Sequence, residues 1–478
     1  MTTNKDKTSV MTKALDWFRA ADGEQSEKSR FHLIRENVQW IIISIIIALG
    51  IRYFIVEAFK IPTGSMAPTL VGVHKHVVCP NCGWGFTRDY HGSGATCPNC
   101  LFQMDTYKNK SHGGNRIFVN KFIYGFGGPD RWDVMVFKYP FVDIRCKDCD
   151  YVMIDRRWVE GMKCERCGST RLKHKRKNYI KRLVGLSGEE LQIKNGDIFI
   201  NGKVAKKPQK TQEELWVPVY NSAYVASKEV VPSWNVDTKY WQKNEGSLLL
   251  EISQAEGRTS FATFARRIFD NYAYNDMTGA NVVGDLRLKL YAVVQRGSGG
   301  VSAVIERDGE IFDAYIPVQG SGEKCGLRRS GKVLAEADAH LTLGHEHKVE
   351  FCYADGVLRL LLDEKQVLFY DSDAGSPDYG GKISDSGIRI GGRDITCRFG
   401  DIEIFRDIYY SSDLTSGSWG VSGPIKISNG EYFVLGDNRD FSLDSRRFGK
   451  LSGSYIVGRT WLRAWPINKA QAFETPNY

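Results

Sequence analysis

The chain has 478 residues, which is too long for one ordinary domain and predicts two to four folded units. Its 42% hydrophobic and 25% charged content is ordinary for a folded protein, and 48 glycines with 22 tyrosines favour β structure with many turns. The formal net charge of +9 is spread along the sequence, so we expect no nucleic-acid partner. A protein that faces anionic lipid is an easier explanation of this mild positive charge.

Residues 40–60 contain the most apolar segment of the chain, WIIISIIIALGIRYFIVEAF. As a helix, these 20 residues would cross a hydrocarbon core of roughly 30 Å. The segment therefore predicts a single transmembrane anchor over residues 40–60, although Arg52 and Glu57 interrupt its second half. A buried core helix or strand is the alternative, because isoleucine runs also favour β structure in water.

Residues 1–39 carry seven lysines and arginines, several of them close to the apolar segment. The positive-inside rule then predicts that this N-terminal segment is cytoplasmic and that the chain after the anchor lies on the outer side of the cell membrane. A cleaved signal peptide fits less well, because the region before the apolar run is long and rich in acidic residues.

Eight of the 11 cysteines form four C-x-x-C pairs, and the pairs are arranged twice with the same 14-residue gap. The first unit spans residues 77–102 and the second spans residues 144–170. Two such pairs bring four thiolates to one ion, so each unit is predicted to be zinc-ribbon-like, with a structural Zn²⁺ site and disulfides as the alternative. The predicted ligands are Cys79, Cys82, Cys97 and Cys100 in the first unit, and Cys146, Cys149, Cys164 and Cys167 in the second.

Residues 216–412 differ in character from the sequence on either side. They contain alternating apolar runs at short spacing, such as DLRLKLYAVV, and Asp355-Gly356 lies between two runs as a hairpin turn does. The pattern predicts an inserted β-sandwich of the jelly-roll type, so the whole chain is expected to be mainly β. No constellation of ligand-binding residues is visible in this block, so we favour a structural cap over a module that binds a glycan or protein.

The stretch IPTGSMAPTL, residues 61–70, places Ser65 between two prolines directly after the apolar segment. A serine hydroxyl is a poor nucleophile unless a neighbouring base accepts its proton. The nine histidines are poorly placed for that role, and lysine is the other option if burial lowers its pKa. Lys181 shares a strand face with Leu183 and is the candidate, with a solvated strand lysine as the alternative.

Four segments together resemble the characteristic boxes of the type I signal peptidases, which are membrane-anchored Ser/Lys proteases. In chain order they are the nucleophile box IPTGSMAPTL (residues 61–70), the strand DRWDVMVFKYP (residues 130–140), the base box YIKRLVGLSGEEL (residues 179–191) and the last box GDNRDFSLDSRRFG (residues 436–449). The resemblance implies a β-rich catalytic core over residues 61–215 and 413–478. The inserted block at residues 216–412 resembles, at the level of pattern only, concanavalin-like and laminin-G-type jelly-rolls.

The resemblance implies that Ser65 attacks the scissile carbonyl while Lys181 acts as general base. It also implies an oxyanion hole made by the Ser65 N–H group and the hydroxyl of Thr63. Residues of the last box would support and orient the base. These supporting residues are Ser442, Asp444, Arg446 and Asp437.

Three residues depart from the family pattern. Thr63 stands where serine is commoner, Trp132 replaces a glycine, and Ser187 replaces a proline. The Thr63 hydroxyl survives, whereas the other two departures put the local backbone geometry in question.

The resemblance implies a single-pass membrane serine endopeptidase that removes signal peptides from exported proteins on the outer, or periplasmic, side of the cell membrane. Its expected partners are signal peptides and the lipid bilayer, and catalysis would need no cofactor. The alternative is a catalytically inactive, membrane-tethered scaffold whose zinc units and jelly-roll recruit proteins or glycans.

Overall fold

A computed structural model describes residues 30–50, 56–125, 127–252, 257–372, 382–410 and 418–473. The chain divides into two compact units, Met1–Glu57 and Ala58–Tyr478. Strands dominate the larger unit, so the predicted mainly β class is confirmed. The boundaries drawn for the individual domains stay predictions.

The first unit contains one described helix, α1 (Arg30–Gly50), which carries the isoleucine-rich run. Several of its apolar side chains are exposed, among them Trp40 and Ile46. Among the residues that the structure describes, no helix is both long and apolar enough to cross a membrane, so the predicted anchor is unsupported. A helix over all of residues 40–60 is wrong, because Val56–Lys60 forms a strand. Most of the predicted cytoplasmic segment, residues 1–29, and residues 51–55 of the predicted anchor lie outside the described residues.

The second unit contains two short helices, α2 (Gln209–Leu215) and α3 (Ser445–Phe448), within the described residues. It also has four 3₁₀ turns there, η1 (Ile123–Gly125), η2 (Ala273–Asn275), η3 (Gly453–Tyr455) and η4 (Ile467–Lys469). The strands before residue 205, the first of which begins in the last two residues of the first unit, are β1 (Val56–Lys60), β2 (His74–Val78), β3 (Gly85–Asp89), β4 (Gly94–Thr96), β5 (Gln103–Asp105), β6 (Ser111–His112), β7 (Arg116–Asn120), β8 (Val134–Lys138), β9 (Phe141–Cys146), β10 (Val152–Arg157), β11 (Leu172–His174), β12 (Asn178–Gly185), β13 (Glu190–Lys194), β14 (Asp197–Ile200) and β15 (Lys203–Val204).

Later strands fall into an inserted group and a C-terminal group. The inserted strands are β16 (Val217–Asn221), β17 (Trp234–Asn235), β18 (Trp241–Asn244), β19 (Ser247–Glu251), β20 (Thr259–Phe264), β21 (Leu286–Arg307), β22 (Glu310–Pro317), β23 (Cys325–Arg329), β24 (Lys332–Ala337), β25 (Glu346–Ala354), β26 (Val357–Leu362), β27 (Lys365–Asp371) and β28 (Ser386–Arg406). The C-terminal strands are β29 (Ile425–Lys426), β30 (Glu431–Leu435), β31 (Leu451–Ser452), β32 (Ile456–Trp465) and β33 (Gln471–Ala472).

The central sheet draws on segments from both sides of the inserted strands. Its described strands run in the order β1-β7-β32-β8-β12-β30-β31, with β33 paired to β32. Strand β12 is an interior strand, antiparallel to β8 on one side and β30 on the other, and Lys181 is opposite Met135. Most side chains of β12 are buried, and Ile180, Leu183 and Val184 belong to apolar clusters, so a side chain on this strand lies in a dry environment.

The inserted strands form one large antiparallel network in the described residues. The long strands β21 and β28 pair with each other along most of their length. On its other edge, β21 pairs with β25 along its first half and with β22 along its second half. Over residues 288–294 of β21, buried residues alternate with partly exposed ones, and the buried cluster includes Leu288, Phe351 and Phe399. This is the pattern of a sheet whose one face is buried in an apolar core.

Candidate active site

The nucleophile box forms a tight turn that is fixed by buried apolar side chains. Met66 and Leu70 are fully buried in a cluster with Ile117 and Val136 of the central sheet. Two backbone hydrogen bonds close the turn, Leu70 N–H to the Met66 carbonyl at 2.7 Å and Ala67 N–H to the Gly64 carbonyl at 3.0 Å. Ser65 lies within this turn and is only 6% exposed.

The Lys181 side chain reaches Ser65 from strand β12. Its Nζ lies 2.8 Å from Ser65 Oγ, and it also donates to the Ile180 carbonyl at 2.9 Å. Lys181 is 3% exposed, so the alternative of a solvated strand lysine is wrong. Burial lowers the pKa of Lys181 from 10.5 to about 8, against the opposing charges of Asp444 and Asp437. An amine with this pKa is partly neutral near pH 7 and can accept a proton from the hydroxyl.

The supporting residues of the last box form a buried network around Asp444. The Arg446 guanidinium donates two hydrogen bonds to the Asp444 carboxylate at 2.9 and 2.8 Å, and the Gly436 N–H group donates a third at 3.0 Å. Ser442 Oγ donates to Asp444 at 2.6 Å. Burial raises the pKa of Asp444, but the Arg446 charge and these hydrogen bonds outweigh it and hold the pKa below its ordinary value. Asp444 is therefore a fixed negative charge behind Lys181.

The predicted contribution of Ser442 is indirect in this geometry. Its described hydrogen bond goes to Asp444, while its Oγ packs against the Cα of Gly436. A Cβ at Gly436 would lie 2.2 Å from Ser442 Oγ and 2.5 Å from the Ser65 carbonyl oxygen. Only glycine therefore allows the last box to approach the nucleophile turn this closely.

Asp437 takes part in a second buried ion pair on the other side of β12. The Arg182 guanidinium donates to both carboxylate oxygens of Asp437 at 2.9 Å, and to Glu214 at 3.1 Å. Arg182 also donates to the Thr69 hydroxyl at 3.1 Å, four residues after the nucleophile. Sequence reasoning did not single out Arg182 or Glu214, although Arg182 stands next to the predicted base in the quoted base box.

Thr63 is exposed, and its backbone is packed tightly against Gly72. Its predicted place in an oxyanion hole stays a prediction.

The structure shows the local backbone and contacts at the other two departures from the family pattern. Trp132 keeps a left-handed backbone with φ of 75°, which a glycine adopts more readily, and its ring is buried. The Ser187 hydroxyl donates to the Glu431 carbonyl at 2.9 Å, a bond that a proline lacks.

Three residues that sequence reasoning missed complete the surroundings of Ser65. Asn438 donates from Nδ2 to the Gly64 carbonyl at 3.0 Å, and its N–H group donates to the Ser65 carbonyl at 3.1 Å. Tyr274 and Asn275, on the inserted turn η2, contact Gly64 and Asn438 respectively. Asn438 belongs to the last box and could have been found there. Nothing in the sequence around Tyr274 and Asn275 signals a role at a site more than 200 residues earlier.

The eight predicted cysteine ligands assemble into two separate groups of four. Within each group the sulfurs of facing cysteines lie 3.6 Å apart, for example Cys79 with Cys100 and Cys149 with Cys164. A disulfide needs about 2.05 Å, and all the cysteines are free. A tetrahedral site with Zn–S bonds of about 2.3 Å separates its sulfurs by about 3.8 Å, so four thiolates at this spacing fit a metal ion.

The local backbone explains how each C-x-x-C pair reaches this arrangement. The fourth residue after the first cysteine of every pair has a left-handed backbone, and these residues are Gly83, Leu101, Asp150 and Gly168. In the first unit, Gly83 N–H donates to the Cys79 carbonyl at 2.8 Å and Leu101 N–H to the Cys97 carbonyl at 3.0 Å. Each turn thus points both of its sulfurs to the same side.

Comparison with known sequences connects this site to one protease family. The family described as signal peptidase, peptidase S26, matches residues 98–243 and 398–465. The matched ranges include Lys181 and the last box and begin after Ser65. Signal peptidase IB of Staphylococcus aureus is 49% identical over 43 residues, which is 9% of this chain and 22% of that protein. A probable signal peptidase I-2 of Synechocystis sp. is 42% identical over 45 residues, 9% of this chain and 21% of that protein.

Solved structures give matches of a different kind. Carbohydrate binding module CBM66 from Bacillus subtilis has a TM-score of 0.26 at 13% identity, covering 36% of this chain and 95% of that chain. Peanut lectin with a 9mer peptide has a TM-score of 0.30 at 11% identity, covering 41% and 99%. TM-scores this low do not assign a fold or a ligand to the chain.

The chain spans only about a fifth of the length of the curated relatives that it matches. The family match covers less than half of the chain, and the matched residues include Lys181 and the network around Asp444. The chain is therefore similar to the peptidase S26 family over residues 98–243 and 398–465, and to signal peptidases over short stretches.

Proposed function

We propose that the protein is a serine endopeptidase that removes signal peptides by a Ser/Lys mechanism. The observation that carries the proposal is the 2.8 Å contact between Lys181 Nζ and Ser65 Oγ inside a buried site. A buried serine beside a lysine whose pKa is about 8 has the base that a nucleophilic serine needs. The peptidase S26 match and the similarity to signal peptidases support the substrate class.

In the proposed reaction, Ser65 Oγ forms a bond to the scissile carbonyl carbon while its proton moves to Lys181 Nζ. The Ser65 N–H group and the Thr63 hydroxyl stabilise the oxyanion of the tetrahedral intermediate. The carbon–nitrogen bond then breaks, and Lys181 returns the proton to the leaving amine. Water attacks the carbonyl carbon of the resulting acyl-enzyme and gives a proton to Lys181. The bond between that carbon and Ser65 Oγ then breaks, Lys181 passes the proton to Ser65 Oγ, and the new carboxyl group leaves. Asp444 and Arg446 keep the surroundings of Lys181 fixed during both steps.

We further propose that each cysteine unit binds one Zn²⁺ as a structural ion. Four thiolates would complete its coordination and leave no position for water, so the ion would hold the C-x-x-C turns together and take no part in proteolysis. Similarity to signal peptidases and the seven lysines and arginines of residues 1–39 support a place at the cell membrane, with the peptidase region on its outer face.

The test is cleavage of a purified secretory precursor by the full-length protein in detergent. Wild type is expected to release one mature product, while Ser65→Ala and Lys181→Ala, each still folded, release none. Lys138→Ala, which changes an exposed lysine on the neighbouring strand β8, is the matched control and should cleave normally. Near-normal cleavage by Lys181→Ala would contradict the mechanism. No cleavage by wild type, with no labelling of Ser65 by a serine-reactive probe, would favour an inactive scaffold.

A further inference from the structure

The inserted block reaches the nucleophile turn through one short segment. Turn η2 (Ala273–Asn275) places the Tyr274 ring directly against Gly64, the residue before the nucleophile. A Cβ at Gly64 would lie 2.2 Å from a Tyr274 ring carbon, which leaves no space for any other residue there. The inserted block therefore forms one wall of the turn that holds Ser65.

Asn275, the next residue, pairs with Asn438 of the last box through their side-chain amides. Asn275 Nδ2 donates to Asn438 Oδ1 at 2.6 Å, and Asn438 Nδ2 donates to Asn275 Oδ1 at 3.0 Å. Both side chains are buried. Asn438 in turn donates to the Gly64 carbonyl and, from its backbone, to the Ser65 carbonyl. A continuous chain of hydrogen bonds thus runs from η2 to the peptide groups on both sides of the nucleophile.

The segment before η2 is itself fixed on both sides. Asp270 forms a buried ion pair with Arg439, the residue after Asn438 in the last box. From strand β28 of the inserted network, the buried Arg406 guanidinium donates to the Asn271 carbonyl at 2.6 Å and to the Asp270 carbonyl at 3.1 Å. Asn275 is therefore presented by a rigid part of the inserted block.

We propose that Asn275 is a positioning residue for the Ser65 nucleophile, so that the inserted block forms part of the active site. This inference rests on the proposed peptidase function. Removing the Asn275 amide would take away two of the three side-chain hydrogen bonds of the buried Asn438 amide, so that Asn438 no longer holds the Gly64 carbonyl in a fixed position. Because a misplacement of about 1 Å can cost about 100-fold in rate, we expect Asn275→Ala to lower kcat by about 10- to 100-fold.

A contact that only docks the inserted block onto the protease predicts a different result. It would change the thermal unfolding temperature and leave kcat unaltered in the folded fraction. Positioning of the nucleophile predicts a lower kcat with little change in KM, since the two amides contact the turn and not the substrate. It also predicts slower modification of Ser65 by a serine-reactive probe, a readout that does not depend on turnover of a precursor.

The experiment compares full-length wild type with Asn275→Ala, Asn438→Ala and the double variant. If Asn275 acts through Asn438, the double variant should lose no more kcat than the worse single variant. The first substitution already breaks the hydrogen bonds between the two amides, so the second substitution cannot break them again. Asn244→Ala, an exposed asparagine on inserted strand β18, is the matched control and should keep wild-type kcat and probe reactivity.

Two outcomes overturn the proposal while leaving the proposed function intact. One is a folded Asn275→Ala variant with kcat within about twofold of wild type, and the other is full additivity of the two losses. Inactivity of wild type, or full activity of Lys181→Ala, would instead refute the proposed function. The two proposals are therefore tested by different proteins, the first by the Asn275 and Asn438 variants and the second by wild type and Lys181→Ala.

A size exchange keeps the proposal testable if Asn275→Ala does not fold. Gly64→Ala should lose activity because its new Cβ collides with Tyr274. Combining it with Tyr274→Ala removes the colliding ring and should recover kcat at least about tenfold, if the inserted turn sets the position of Gly64. A folded double variant with no recovery would overturn the proposal.

Discussion

Lys181 Nζ and Ser65 Oγ lie 2.8 Å apart although the two residues are separated by 116 positions in the chain. Two independent features produce this contact. Lys181 is carried by an interior strand of the central sheet, and Ser65 by a turn whose Met66 and Leu70 side chains are buried in the adjoining core. The contact is thus fixed by packing around both residues, which is what a preorganised nucleophile and base require.

Replacing Lys181 by methionine should abolish activity and raise stability at pH 7. The ordinary pKa of 10.5 falls to about 8 in the folded protein because of burial. Between these two pH values the unfolded state binds more protons than the folded state, so wild-type stability rises with pH there, and the cost of the buried charge is fully present below pH 8. We expect Lys181→Met to unfold with a free energy up to about 3 kcal/mol higher at pH 7.

The measurement for this variant is denaturant unfolding at pH 7 and at pH 10. The difference between Lys181→Met and wild type should shrink as the pH rises from 8 to 10.5, since the wild-type amine then becomes neutral. A variant that is less stable than wild type at pH 7, with an unchanged difference at pH 10, would contradict the burial of a charged amine.

Asp437→Asn should destabilise the fold strongly. Arg182 is buried, and its bidentate partner is the equally buried Asp437, so the substitution leaves a guanidinium whose main counter-charge is gone. Breaking such a pair costs about 3–5 kcal/mol, and the remaining contact with Glu214 should keep the loss near the lower value. Asp371→Asn, which removes the partner of Lys206 in a more exposed ion pair, is the control and should cost under about 1 kcal/mol. Equal losses of unfolding free energy in the two variants would count against the buried pair.

Cys82→Ser should lower the zinc content from two ions per chain to about one, because it removes a ligand from only one group of four cysteines. Cys352→Ser changes a buried cysteine on strand β25 that belongs to neither group, and it should retain both ions. Elemental analysis of the purified proteins measures the number of zinc ions per chain, and thiol counting measures the number of free cysteines. Disulfide-bonded cysteines with no zinc in wild type would show that the units are cross-linked instead.

Local patterns in the sequence were sufficient for the mainly β class and for the grouping of the cysteines. Both follow from short-range spacing, the alternation of apolar residues in one case and the repeated C-x-x-C turn in the other. The contact between Ser65 and Lys181 was expected from the resemblance of four separate boxes, and the structure brings these two residues together.

Two features could not be read from local sequence. The apolar run over residues 40–60 reads as one helix, yet Val56–Lys60 is a strand at the edge of the central sheet, beside β7. β-branched residues fit either structure, and tertiary pairing decides between them. The contacts of Tyr274 and Asn275 depend on how the inserted block packs on the last box, a long-range relationship that residue spacing does not reveal.

The pH dependence of kcat/KM for precursor cleavage tests the central claim, that neutral Lys181 is the base for Ser65, most directly. This quantity reports the ionisation of the free enzyme. The pKa of about 8 predicts that kcat/KM rises about tenfold per pH unit below pH 8 and levels off above it, because only the neutral amine accepts the proton. A profile that stays flat between pH 6 and pH 9, in a protein that cleaves the precursor through Ser65, would contradict a lysine base.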